Sequence, residues 1–145
     1  MAEKASVLVV ANRTARSDEL LQALKERAAR GPAEFTLLIP ASAHGVAWIG
    51  DMHSGSPEAS RDLDAALDRF RKEGLDMAEA KVGDADPLAA VEDAVNFGSF
   101  DEVICSTLPT HLSKWLKLDL PHRIERETGL PVTHVVGSDA VPNAG

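Results

Sequence analysis

The first stretch of the chain without a charged residue, ASVLVVA from Ala5 to Ala11, is continuously apolar but for one serine and rich in valine. A run without polar alternation suits a central parallel strand covered on both faces. The period then changes to that of a helix over SDELLQALKERAARGP. Ser17 stands where a side chain caps the first turn, Asp18 and Glu19 sit at the positive end of the helix dipole, and Gly31 and Pro32 stop the helix. EFTLLIPA predicts a second buried strand ending near Pro40. A polar stretch, Ala41 to Ser56, separates it from a second helix over SPEASRDLDAALDRFRKEG. Pro57 suits its first position, and Leu63, Ala66, Leu67 and Phe70 share one face.

Further along, LDMAEAKV mixes small or apolar residues with charged ones, as an edge strand does. DPLAAVEDAVNFG predicts a third helix capped by Asp86 with Pro87 behind it, and FDEVICST a further buried strand. The last helix runs through LPHRIERETG, with Asp119 as its capping start and Gly129 and Pro131 as its stop. PVTHVV closes the series as a strand. The order βαβαβαβαβ implies an α/β, Rossmann-like fold: a three-layer, doubly wound, five-stranded parallel sheet with four main helices. No repeat or linker divides it. Residues 1–138 are expected to form one domain, and 139–145 a flexible C-terminal tail.

Composition narrows the function classes. The 145 residues are 44% hydrophobic and 26% charged, with a formal net charge of -8. That balance suits a water-soluble domain and argues against a nucleic-acid partner, which needs a concentrated basic surface. The N-terminal apolar run is too short for a signal peptide or a membrane span, so a cytoplasmic protein is expected, with no membrane partner. A single cysteine, Cys105, rules out an internal disulfide and, lying in an apolar strand, reads as a small buried hydrophobe.

Ligands of doubly wound sheets bind beyond the carboxyl ends of the strands, where strand order reverses. With order 3-2-1-4-5 the facing loops are NRTARS, after the first strand, and STLPTHLSK, after the fourth. With the flavodoxin-like order GDADP would matter instead. A flavin site calls for a glycine- and hydroxyl-rich first loop and stacking aromatics, yet aromatics are 4% of the chain. A phospho-receiver calls for clustered acids, and Asn12 and Arg13 stand in their place.

Element order, length, VGDADPLAAVEDAVNFGSFDEVICST and the closing LPHRIERETGLPVTHVV together give a chain that resembles the universal stress protein family. That family is a branch of the adenine-nucleotide α-hydrolase-like (HUP) folds. Gly83 with Asp84, Phe100 with Asp101, and Pro131 with Val132 fit its frame. The resemblance implies the order 3-2-1-4-5 and a homodimer through the last strand, Pro131 to Gly137, which would otherwise leave an exposed edge. Nucleotide-binding members carry an acid after the first strand and a Gly-x2-Gly-x9-Gly-Ser/Thr loop after the fourth. Here Asn12 replaces the acid, and Cys105, Leu108, Leu118 and Asp119 fall on the loop positions. Leucines add bulk, Pro109 removes a donor and Asp119 adds negative charge, so an adenine nucleotide is not expected in the family's usual mode and no cofactor is required.

What the crevice retains is polar side chains: Asn12, Arg13 and Thr14 from the first loop, and Ser106, Thr107, Thr110, Ser113 and Lys114 from the other. Arg13 and Lys114 suit an anion, Asn12 can donate an amide hydrogen bond, and the hydroxyls suit a small polar or anionic ligand. The same residues also serve as ordinary turn and cap residues, Ser113 before a helical turn at KWLKL. Trp115 reads as packing. The Ala41–Ser56 loop, holding His44, Trp48, Asp51, Met52 and His53, is read as a mobile loop, in its functional version a flap over the crevice with Trp48 as its apolar contact; its spacing has no metal-binding pattern, and no metal is expected. His111, His122 and His134 assemble no triad, and no phosphate loop or dinucleotide fingerprint is present. Three functions stay open. The first is a non-enzymatic sensor or regulatory domain of the universal stress type with an atypical pocket. The others are a small nucleotide- or anion-binding enzyme of the α-hydrolase-like superfamily, and a dimeric interaction module without a ligand.

Overall fold

In a computed structural model the described residues are 4–11, 17–40, 57–83, 86–107 and 119–137, with the backbone alone described for 57–63. Five strands and four helices alternate: β1 (Ala5–Val10), α1 (Asp18–Arg30), β2 (Ala33–Pro40), α2 (Pro57–Lys72), β3 (Met77–Gly83), α3 (Pro87–Phe97), β4 (Glu102–Thr107), α4 (Leu120–Thr128) and β5 (Val132–Val136). All strand pairs are parallel, in the order β3-β2-β1-β4-β5. Both the doubly wound class and the 3-2-1-4-5 order expected from the sequence are therefore found.

Strand alternation splits the core into two layers. Val7, Val9, Phe35, Leu37, Ile39 and Ile104 face α1 and α2, where Leu20, Leu21, Leu24, Ala66 and Phe70 meet them. Leu8, Val10, Leu38, Val103 and Cys105 point the other way, onto Ala90, Val91 and Ala94 of α3 and Leu120 and Ile124 of α4. This two-sided burial is why Val7 to Val10 of β1 and Val103 to Cys105 of β4 read as apolar without alternation.

Local signals set the element ends. Ser17 is extended (φ -73°, ψ 150°), and its hydroxyl accepts from the Leu20 N–H at 3.1 Å. Asp86 does the same for α3, accepting from the Leu88 N–H at 3.0 Å, with Pro87 following. Gly83, the last residue of β3, is needed for space: a Cβ there would lie 2.9 Å from both the Ala90 Cβ and the Leu38 Cδ1. Its lack of a side chain lets α3 pack against the strand end, a structural reason for the glycine of the Gly83–Asp84 pair. A largely buried ion pair, Arg27 to Glu102 at 3.0 Å, ties the last turn of α1 to the first residue of β4.

The start of α4 corrects one expectation. Asp119 is not a side-chain cap: it adopts a left-handed conformation (φ 57°, ψ 41°) and makes no capping hydrogen bond. Its carboxylate accepts instead from His122 Nδ1 at 2.9 Å. Aspartate tolerates this backbone region better than most residues, and that suits it to the position.

Candidate functional site

The reversal of strand order falls between β1 and β4, which lie side by side with Val10 in register with Cys105. The chain therefore leaves both strands at one point on the carboxyl edge of the sheet, at Ala11 and at Thr107. The flavodoxin-like order, which would have put the reversal beside GDADP, is not the order found. Of the eight candidate residues, Ser106 and Thr107 are described. Asn12, Arg13, Thr14, Thr110, Ser113 and Lys114 lie outside the described residues, as do Asp84, Trp115, His111 and the Ala41–Ser56 loop.

Ser106 and Thr107 are 1% and 2% exposed, so both hydroxyls are enclosed at the end of β4. Adjacent in sequence, they point to opposite faces of the sheet, because strand side chains alternate. Ser106 follows Ile104 toward the α1–α2 layer, and Thr107 follows Cys105 toward the α3–α4 layer. The Thr107 hydroxyl is hydrogen-bonded to His134 Nε2 of β5 at 2.7 Å. Sequence inspection missed this pair, because 27 positions separate the residues. The one signal was His134 itself, an imidazole in a valine-rich strand, which calls for a polar partner without indicating which.

A shallow groove of about 220 Å³ lies beside His134, lined also by Asp119, Pro121, His122, Glu125 and Val132. Partial burial lowers the His134 pKa from its ordinary value, so the ring is neutral near pH 7. Cys105 is in register with His134 on the neighbouring strand. The two do not form a thiolate–imidazolium pair, for burial pushes the Cys105 thiol up to about 12. Among the described residues no three of His, Cys, Asp and Glu stand together so as to hold a metal ion. Among them, too, no helix is long and apolar enough to cross a membrane.

Element order, parallel register and a reversal between β1 and β4 invite comparison with solved structures. A universal stress protein from Archaeoglobus fulgidus superposes with a TM-score of 0.62 at 18% identity, over 92% of this chain and 99% of that one. A universal stress protein in complex with cAMP gives 0.59 at 20% identity, over 93% and 98%. The fold is that of the universal stress proteins. No protein-family model and no curated protein sequence matches the chain. The sequence resemblance to universal stress proteins thus finds its counterpart in the backbone, across nearly the full length of both relatives. Within that shared fold, Cys105, Ser106 and Thr107 occupy the end of β4, where Cys105 is fully buried and takes part in the core.

Proposed function

We propose that this chain is a small non-enzymatic sensor or regulatory protein of the universal stress type. It works in the cytoplasm as a homodimer through β5 and takes a small anionic or polar ligand at the β1–β4 crevice. The observation that carries this reading is the reversal of strand order between β1 and β4; in the sequence, Asn12, Arg13 and Thr14 follow the first of these strands, and Thr110, Ser113 and Lys114 follow the second. Arg13 and Lys114, in the segments that follow these strands, are the cations this reading relies on in a chain of net charge -8. With Leu108 and Pro109 in place of a glycine-lined phosphate loop, the anion is held by side chains. One structural relative holds cAMP. A ligand with a single phosphate makes smaller demands on main-chain donors than a triphosphate, so phosphate, AMP and cAMP are preferred here over ATP.

The Thr107–His134 hydrogen bond favours a second reading, an enzyme of the α-hydrolase-like superfamily that uses this hydroxyl. It ranks below the first, because Thr107 is enclosed. A thermal-shift series with phosphate, AMP, cAMP and ATP tests both. A ligand present at about 100 times its Kd adds roughly 2.7 kcal/mol to the folded state. The expected result is a rise in Tm with phosphate or a mononucleotide, smaller with ATP, and abolished in Arg13→Ala. Nucleotide turnover would overturn the non-enzymatic reading. A stable dimer without a shift from any of these probes would favour an interaction module.

A further inference from the structure

Strand β5 forms one edge of the sheet and pairs on one side with β4. It reads Val-Thr-His-Val-Val and carries no charged side chain, whereas the opposite edge, β3, carries Glu79 and Lys81. Two copies of a chain with net charge -8 repel, and a contact strand without carboxylates is where such copies meet at least electrostatic cost. Val136 is 48% exposed and offers apolar surface to a partner strand. His134 is the central residue of the five. Antiparallel pairing of all five residues about a two-fold axis therefore sets His134 opposite its own copy and Val132 opposite Val136. Directly opposed side chains lie about 4.5–5.5 Å apart at Cβ, and like charges there repel.

We propose that β5 is a pH-gated contact between two copies of this chain, closed while the paired His134 rings are neutral and opened when they take up protons. The inference rests on the homodimer proposed above and adds its regulation. Among the described residues, the groups that face the ring are few. From β4 these are the Thr107 hydroxyl, 2.7 Å from Nε2, and the in-register Cys105. From α4 and the residue that precedes it, across the groove, come Asp119, His122 and Glu125. Asp119 already accepts from His122 Nδ1, and the Cys105 thiol stays neutral. Helix α1 packs on the other face of the sheet, with Val135.

Partial burial already lowers the His134 pKa in the single chain. A second ring opposite lowers it further, so the dimer binds fewer protons than two free chains. Acid then favours dissociation, in the range below the ordinary imidazole value of about 6.5. Each ring contributes about tenfold in Kd per unit by which pairing depresses its pKa.

Sedimentation velocity on the full chain between about pH 7.5 and about pH 5.5, with circular dichroism to confirm that it stays folded, tests the proposal. The expected result is a wild-type dimer whose Kd rises at least about tenfold on acidification. His134→Gln should remain dimeric across the range, and His122→Gln should keep the wild-type response. A wild-type dimer unaffected by acid, or a His134→Gln dimer that dissociates as the wild type does, would overturn the gate and leave the dimer standing. A monomer at the higher pH would overturn the dimer as well.

Discussion

Single residues in this chain do jobs that their identity alone does not announce. Asp119 sits where a helix cap is expected, yet what it supplies is tolerance of a left-handed backbone. Asp119→Gly should leave stability within about 0.5 kcal/mol of wild type, whereas the β-branched Asp119→Val should lose about 1–2 kcal/mol, read by urea denaturation. Cys105 illustrates the reverse case, in which position in an apolar run correctly announced a buried thiol. With no exposed surface and a pKa of about 12, it should resist a thiol-specific reagent such as DTNB at mildly alkaline pH and react fully once the chain is unfolded. Reaction of the native protein at the rate of a free thiol would contradict that environment. Ser106 and Thr107 mark where sequence reading runs out. Neighbours in a strand, they were grouped as one hydroxyl-bearing site, but period-two geometry sends them to opposite layers and joins Thr107 to a histidine on another strand. Nothing in linear spacing encodes that pairing.

At the level of elements the sequence was informative, because each helix and strand carries its own physical signals. Ser17 with Asp18 and Glu19, Asp86 with Pro87, and the period change between them mark α1 and α3 to within a residue or two. Ser17→Ala should cost about 1 kcal/mol, since the Leu20 N–H then loses its partner inside the protein. The end of β3 is a tighter constraint. Gly83→Ala forces a methyl against the Ala90 Cβ and the Leu38 side chain, and should lower stability by about 1–3 kcal/mol through displacement of α3. Pairing of helix against strand end was not legible beforehand, for it depends on crossover geometry. Element-level reasoning also singles out β5, whose uncharged edge contrasts with the charged β3. If β5 is the proposed contact between two copies, Val136→Lys should leave the fold intact and give a monomer in size-exclusion chromatography with light scattering where the wild type gives a dimer.

For the whole molecule, what was read correctly is the winding. Alternating elements gave the parallel sheet, the resemblance to universal stress proteins gave its order, and the structure has that order with the reversal between β1 and β4. Two solved universal stress proteins superpose on more than nine-tenths of the chain. Ligand chemistry was less legible, since a glycine-lined loop advertises phosphate by its backbone, whereas Asn12, Arg13 and Lys114 offer side chains whose directions no pattern fixes. The partial desolvation of His134, whose side chain remains largely accessible, adds a small pH effect. Its folded-state pKa is lowered, so between that value and the ordinary one the unfolded chain binds more protons, and stability should fall as pH drops below about 6.5. His134→Gln should flatten that dependence in thermal melts. The crevice itself is tested most directly by titrating AMP into the isotope-labelled protein while following each backbone amide. Shifts should concentrate at Ala11, Ser106 and Thr107, with none at the far ends of the strands near Ala5 and Glu102. Saturable changes confined to a surface away from β1 and β4, or a crevice unmoved by AMP, cAMP and phosphate alike, would contradict a ligand site at the reversal.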